Sequence, residues 1–127
     1  MDLLLEQAVF ANEAFYLAFE AKDYSAMDSV WSASAGVMCL HPGWPALVGR
    51  KDVMQSWRTI LDNPQQAQVS FYAPSVQRIA DTSVVVVCYE QTQGAVMVAT
   101  NIFVREDDRL RLFVHQAGFC NNAPAAS

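Results

Sequence analysis

The change of hydrophobic period at Asn63-Pro64 constrains this chain more than any other feature. Ahead of it the apolar residues recur at helical spacing, and from Val69 onward they form runs rich in Val, Phe, Tyr and Thr. A chain that changes period once, from helix to strand, folds as helices laid on one sheet.

Leu5, Val9, Tyr16 and Phe19 fall on one stripe of residues 2–21, with Asn12 as its polar exception and Ala8, Phe15 and Ala18 beside it. This predicts one long amphipathic helix. Lys22 and Asp23 interrupt the pattern. Ser25 is then placed to cap a second helix, with Asp28 three residues on, Met27, Val30 and Trp31 as its buried stripe and Gly36 as its end. Residues 37–40 are too short for a helix and read as a buried strand that stops at His41. Pro42, Gly43, Trp44 and Pro45 then enforce an irregular loop as far as Gly49. A third helix starts near Arg50, with Asp52 at the positive end of its dipole and Val53, Trp57, Ile60 and Leu61 on one face, and Asn63-Pro64 stops it.

Four strands follow at 69–79, 83–91, 95–105 and 109–117, joined by polar connections at 80–82, 92–94 and 106–108, which predicts an antiparallel meander. Residues 121–127 are small, polar and proline-containing and are expected to fray, leaving 1–120 as a single domain. The middle strands are apolar at both parities, since Val84, Val85, Val86 and Val87 are consecutive and Ala95–Val104 mixes apolar residues on both faces. Three helices cover one face and nothing in the chain remains for the other. We therefore expect a homodimer through the outer sheet face.

The net charge of -5 with scattered basic residues argues against a nucleic-acid partner, which requires clustered Lys and Arg. No apolar run approaches the about 18–20 residues that span a bilayer, so no membrane span is expected. The N-terminal Met-Asp-Leu-Leu-Leu-Glu lacks the basic region of a secretory signal. Cys39, Cys88 and Cys120 are odd in number and widely spaced, which fits a reduced, cytoplasmic protein better than a disulfide framework. No phosphate loop, dinucleotide fingerprint or hydrolase nucleophile elbow is present.

Several segments carry a family resemblance: Asn12-Glu13-Ala14-Phe15-Tyr16-Leu17-Ala18-Phe19, Met27-Asp28-Ser29-Val30-Trp31, His41-Pro42-Gly43-Trp44-Pro45 with Gly49-Arg50 and Ser56-Trp57, and Val114-His115-Gln116-Ala117-Gly118. Together they resemble the SnoaL-like branch of the superfamily named for nuclear transport factor 2. The resemblance implies an α+β, cone-shaped cystatin-like fold, with three N-terminal helices packed on a curved, mainly antiparallel sheet and a pocket inside the cone. The superfamily includes ketosteroid isomerases, dehydratases, polyketide cyclases and a kinase association domain, so fold alone does not set function.

Within that frame Trp31, Trp57 and Tyr89 are candidate aromatic lining, or, for the tryptophans, core anchors. His41, ending a strand before a rigid loop, is a candidate acid-base group or a partner for the loop's own backbone. Trp44 is either a lid or a plug. On the last strand Leu110, Leu112, Val114 and Gln116 share one parity, and Arg111, Phe113, His115 and Ala117 the other, so His115 and Gln116 both face inward only if a bulge intervenes. Asn101 is a polar residue within an apolar strand, suited to a ligand or to a dimer contact. Most acids fall in turns or at helix ends, while Asp28 flanks a helix cap and Glu90 approaches a strand end. The carboxylate constellation of the ketosteroid isomerases is therefore not evident. We expect no metal and no cofactor, and a small apolar or amphipathic ligand. The chemistry would be isomerisation, dehydration or cyclisation by His41 or His115, with Trp31, Trp44, Trp57, Tyr89, Asn101 and Gln116 as ligand-binding residues. The rival is a non-catalytic association module.

Overall fold

The Asp2 carboxylate opens the fold by accepting a hydrogen bond from the Leu4 N–H at 2.9 Å, capping α1 (Leu3–Glu20). The computed structural model describes residues 2–126. The buried stripe of α1 is Leu4, Ala8, Asn12, Phe15, Tyr16 and Ala18, so the polar exception in the pattern lies inside the molecule. Helix α2 (Tyr24–Val30) is shorter than its pattern predicts and has a different cap. Asp23, not Ser25, accepts from the Ala26 N–H at 3.0 Å, and Trp31 has already turned to extended backbone well before Gly36. Asp23 wins because a carboxylate one position before the first helical residue reaches the free N–H groups of the first turn.

The extended segment after α2 is held by Arg50, whose guanidinium donates to the Asp28 and Ser32 carbonyls at 3.1 and 2.8 Å and pairs with the Asp28 carboxylate at 2.7 Å. A planar fork satisfies several C-terminal acceptors of a short helix at once. Strand β1 (Met38–Leu40) follows, then β2 (Leu47–Val48), which the sequence reading leaves within the irregular loop. Gly49 precedes α3 (Arg50–Asp62) at φ +100°, a conformation open to glycine, and its N–H donates to the Val37 carbonyl at 2.8 Å.

Strands β3 (Ser70–Ala80), β4 (Ser83–Thr92), β5 (Ala95–Glu106) and β6 (Arg109–Phe119) form the expected meander. With β1 and β2 they make one six-stranded, curved, mixed sheet in the order β2-β1-β6-β5-β4-β3. All neighbours are antiparallel except β1 and β6, which run parallel. β3 tolerates Pro74 because it is an edge strand with a register shift at that point. The fold is α+β, with α1 laid against β3, β4, β5 and β6, α3 against β1 and β2, and α2 packed on both helices.

A register shift in β6 decides which side chains enter the cone. Val114 pairs with Ile102 and Leu112 with Phe103, so Phe113 is the extra residue of a bulge. Leu110 and Leu112 are buried ahead of it, and His115 and Ala117 are buried after it. Simple alternation puts these two pairs on opposite faces; the bulge brings them to the same face and turns Gln116 outward.

Beyond the strands, the Tyr72 hydroxyl donates to the Pro124 carbonyl at 2.8 Å, so the C-terminal segment touches β3. None of the helices among the described residues is long and apolar enough to cross a membrane.

Candidate functional site

Strand β4 alternates strictly, and Val84, Val86, Cys88 and Glu90 are its buried side chains. Glu90 therefore points into the cone although a carboxylate is costly to bury. Its Oε2 accepts from the Tyr16 hydroxyl at 2.6 Å and lies 3.9 Å from Nε2 of His115. Asn101, wholly buried on β5 directly opposite His115, brings its Oδ1 to 2.6 Å from His115 Nδ1. Its Nδ2 donates to Asn12 Oδ1 at 2.9 Å and to the Tyr16 oxygen at 3.2 Å. Five polar side chains from α1, β4, β5 and β6 thus form one buried network.

The parallel pairing of β1 with β6 sets Cys39 opposite His115 and brings His41, just beyond the strand end, to the same region. The two imidazole centroids are 6.4 Å apart. His41 Nε2 lies 2.9 Å from Ser56 Oγ, which itself donates to the Val53 carbonyl at 2.6 Å. Because the serine proton is committed, His41 Nε2 is the donor and its Nδ1 carries the lone pair. The ring packs edge-on against Trp44 and Trp57, with centroids 4.9 Å away in each case.

These side chains border a cavity of about 370 Å³. Glu90, His115 and His41 are its titratable wall, Phe19, Trp44, Ile60 and Met97 its apolar wall, and Thr59, Asn63, Gln66 and Thr92 contribute further polar groups. Among the described residues no lysine or arginine lines it. Burial pushes the Glu90 carboxyl above its ordinary pKa, against the opposing effect of the Tyr16 hydrogen bond. Burial also depresses His41 to about 4. His115 is lowered to about 3, by burial first and by His41 second. The Glu90–His115 contact is therefore not an ion pair at neutral pH, because the imidazole is uncharged. Burial raises the Cys39 thiol, and takes Cys88 to about 11, so neither is a ready thiolate.

Of the residues singled out by sequence, His41, His115 and Trp44 line this cavity. Trp44 is the rim residue, 43% exposed. Trp57 is fully buried behind the imidazoles, packed on Phe15, Phe19, His41 and His115. Trp31 is a core residue bridged to Leu112 and is not part of the lining. Tyr89 lies at the outward parity of β4 and stacks on Tyr72, with centroids 5.5 Å apart, so it faces away from the cavity. Gln116 is outward because of the β6 bulge. Asn101 sits beneath His115, out of the lining. Tyr16 and Asn12 are not among the candidates the sequence offers, and Glu90 is set aside there as an acid near a strand end. The signal was available in the inward parity that Glu90 shares with Val84, Val86 and Cys88, and in the helical stripe shared by Asn12 and Tyr16. Among the described residues no group of three or more His, Cys, Asp or Glu side chains is arranged to hold a metal ion.

Comparison with known proteins adds a family. The model of the SnoaL-like domain matches residues 9–120. A crystal structure described as a "putative dehydratase" of the NTF2-like family from Streptomyces avermitilis is 31% identical, with TM-score 0.82, covering 92% of this chain and 96% of that one. One described as a "putative calcium/calmodulin-dependent protein kinase type II association domain" from Thiobacillus denitrificans is 30% identical, with TM-score 0.79, covering 87% and 93%. An uncharacterised cystatin-like-fold protein from Caulobacter vibrioides, 12% identical over 92% and 89% of the two chains, shares the fold with TM-score 0.78. No curated protein matches significantly. The chain belongs to the SnoaL-like domain family, within the NTF2-like proteins of cystatin-like fold.

Proposed function

We propose that the protein binds a small amphipathic molecule in the Glu90–His115–His41 cavity and carries out a cofactor-free proton transfer on it, in the class of dehydration, isomerisation or cyclisation. The observation that carries this reading is the convergence of a buried carboxylate and a neutral imidazole, 3.9 Å apart, on one largely apolar cavity. Desolvation makes the carboxylate a stronger base and keeps the imidazole uncharged, which is how buried sites prepare acid-base pairs.

In this mechanism His115 Nε2 takes a proton from a substrate C–H or O–H, while its Nδ1–H stays bonded to Asn101. The imidazolium formed is then paired with Glu90, so the developing charge is offset where it appears. The imidazolium, open to exchange with solvent, then gives a proton to another substrate atom in an isomerisation, or to a departing hydroxyl, released as water, in a dehydration. His41, across the cavity, is the second candidate acid-base residue, and Trp44 covers the ligand from the rim. The similarity to the Streptomyces avermitilis protein described as a dehydratase favours the same class.

Assembly as a homodimer through the outer sheet face belongs to this reading. Val85, Val87, Tyr89, Val98, Ile102 and Val114 present a half-buried apolar surface there, which a second copy would cover. A cytoplasmic location also belongs to it, supported by three free thiols. The 30% identity to a protein described as an association domain favours a second reading, in which assembly is the function and the cavity is incidental. Native mass spectrometry beside a thermal-shift screen of small hydroxyl, carbonyl and aromatic compounds separates the two. Saturable stabilisation that His115→Ala abolishes supports the catalytic reading. An assembly that responds to no compound supports the association reading.

A further inference from the structure

The buried network has a direction, and the direction fixes which nitrogen of His115 carries the proton. Tyr16 has one hydroxyl proton, and the 2.6 Å contact commits it to Glu90. Its oxygen can then only accept, so the Asn101 atom 3.2 Å away is the amide nitrogen. The same nitrogen donates to Asn12 Oδ1 at 2.9 Å, in agreement with that orientation. Asn101 Oδ1 therefore meets His115 Nδ1 at 2.6 Å as an acceptor, and Nδ1 must carry the proton. In a neutral ring Nε2 is left with a lone pair, and it lies 3.9 Å from Glu90 Oε2.

We propose that Asn101, oriented by Asn12 and Tyr16, is a positioning residue that holds His115 as its Nδ1–H tautomer, so that the cavity presents two adjacent acceptors and selects ligands bearing a hydroxyl or amine donor. The ligand half of this inference rests on the proposed ligand-binding function of the cavity; the tautomer half does not. Two acceptors 3.9 Å apart can share one ligand O–H or N–H group, since a heavy atom about 2.8 Å from each fits between their lone pairs. A ligand carboxylate or phosphate at that point would meet Glu90 and an imidazole lone pair, with no lining Lys or Arg to offset its charge. The chemical class is thus a neutral alcohol or an amine on an apolar skeleton.

The experiment is nitrogen-15 NMR of the full chain with labelled histidine, first without ligand. His115 is expected as the Nδ1–H tautomer at neutral pH, and an Nε2–H tautomer overturns the proposal while leaving the cavity reading intact. Asn101→Asp keeps an acceptor opposite Nδ1, and Asn12 can turn its unpartnered Nδ2 toward it. That variant is expected to retain the tautomer and to raise the His115 pKa. The double variant Asn12→Ala with Tyr16→Phe, which removes both groups that orient the Asn101 amide without touching His115, is expected to give a mixture of tautomers. A wild-type spectrum from that double variant overturns the role of the oriented amide. The second arm adds 2-phenylethanol, 2-phenylethylamine and phenylacetate in turn. Saturable shifts of the His115 Nε2 signal by the alcohol and amine, with at least tenfold weaker binding of phenylacetate, support donor selection. Equal or tighter binding of phenylacetate overturns it, and a series in which none of the three reaches His115 overturns the cavity reading along with it.

Discussion

Nε2 of His115 lies 3.9 Å from Oε2 of Glu90, two side chains that reach the same point from β6 and β4. Asn101, on the strand between them, holds the far nitrogen of the imidazole, and Tyr16 from α1 holds the carboxylate. A carboxylate placed there adds little to folding, because desolvation opposes its charge. Its presence in the cavity wall is what a proton-transfer site requires.

Removing that charge should therefore stabilise the protein. Glu90→Gln keeps the shape and an acceptor for Tyr16 while removing the buried charge, so unfolding free energy at pH 7 is expected to rise by about 1–2 kcal/mol. Urea denaturation of the variant beside wild type checks this. The same variant should lose turnover, the stability–activity exchange expected of a site residue. A variant that is both less stable and fully active contradicts the role given to Glu90.

Stability should fall on mild acidification, and the sign follows from the pKa shifts. His41 and His115 have folded pKa values of about 4 and about 3, below the ordinary histidine value of 6.5. Their contributions are complete above pH about 6.5 and are lost as pH falls toward the folded values. Each accounts for roughly 2 kcal/mol by pH 5. Glu90 acts in the opposite sense: its raised pKa gives stability below the ordinary carboxyl value that is lost as pH rises. Two groups outweigh one, so the urea midpoint is expected to drop between pH 7 and pH 5. His41→Asn should flatten the drop and Glu90→Gln should steepen it.

How much of this was legible in the sequence depends on the residue. The change of period located the helices and the meander, because burial on one face leaves a repeating trace. Phe113 shows the limit of that trace: a single extra residue in β6 reversed the parity of everything after it, so His115 turned inward and Gln116 outward. Nothing in the local pattern marks this bulge, at which the Phe113 ring lies beside Gly36. Glu90 was legible by parity but was weighed as a strand-end acid, since exposure is the usual state of a glutamate. β2 was hidden because two residues are too few to carry a period.

The segment joining α2 to β1 should depend on guanidinium geometry rather than on charge. Arg50 bonds to three carbonyls, those of Asp28, Trp31 and Ser32, and to the Asp28 carboxylate. Arg50→Lys keeps the charge but not the fork, and is expected to cost about 2 kcal/mol in urea denaturation. An unchanged midpoint would show that the clamp contributes only order.

Trp57 fills the space behind both imidazoles, and its removal should be felt in the site as well as in the core. Trp57→Ala is expected to lower unfolding free energy by about 3–5 kcal/mol. The milder Trp57→Phe should leave the protein folded while raising the His41 and His115 pKa values, as water gains access; NMR titration of the two rings reads this directly.

The outer sheet face should govern assembly independently of the cavity. Val98→Asp and Ile102→Asp place charges on the apolar face opposite the cone, and sedimentation should show a dimeric wild type and monomeric variants. A monomeric wild type contradicts the homodimer.

The central claim, proton transfer by the Glu90–His115 pair, can be tested before any product is known. Small hydroxy-carbonyl and unsaturated carbonyl compounds are incubated with the protein in deuterium oxide, and their C–H positions are followed by proton NMR. In dehydration, isomerisation and cyclisation alike His115 first removes a proton from the substrate, and reversal of that step after the imidazolium has exchanged with solvent places deuterium in the substrate. The account predicts exchange that saturates with compound and falls at least a hundredfold in both Glu90→Gln and His115→Gln. Exchange that both variants retain in full, or none from any compound that stabilises the protein, would contradict it.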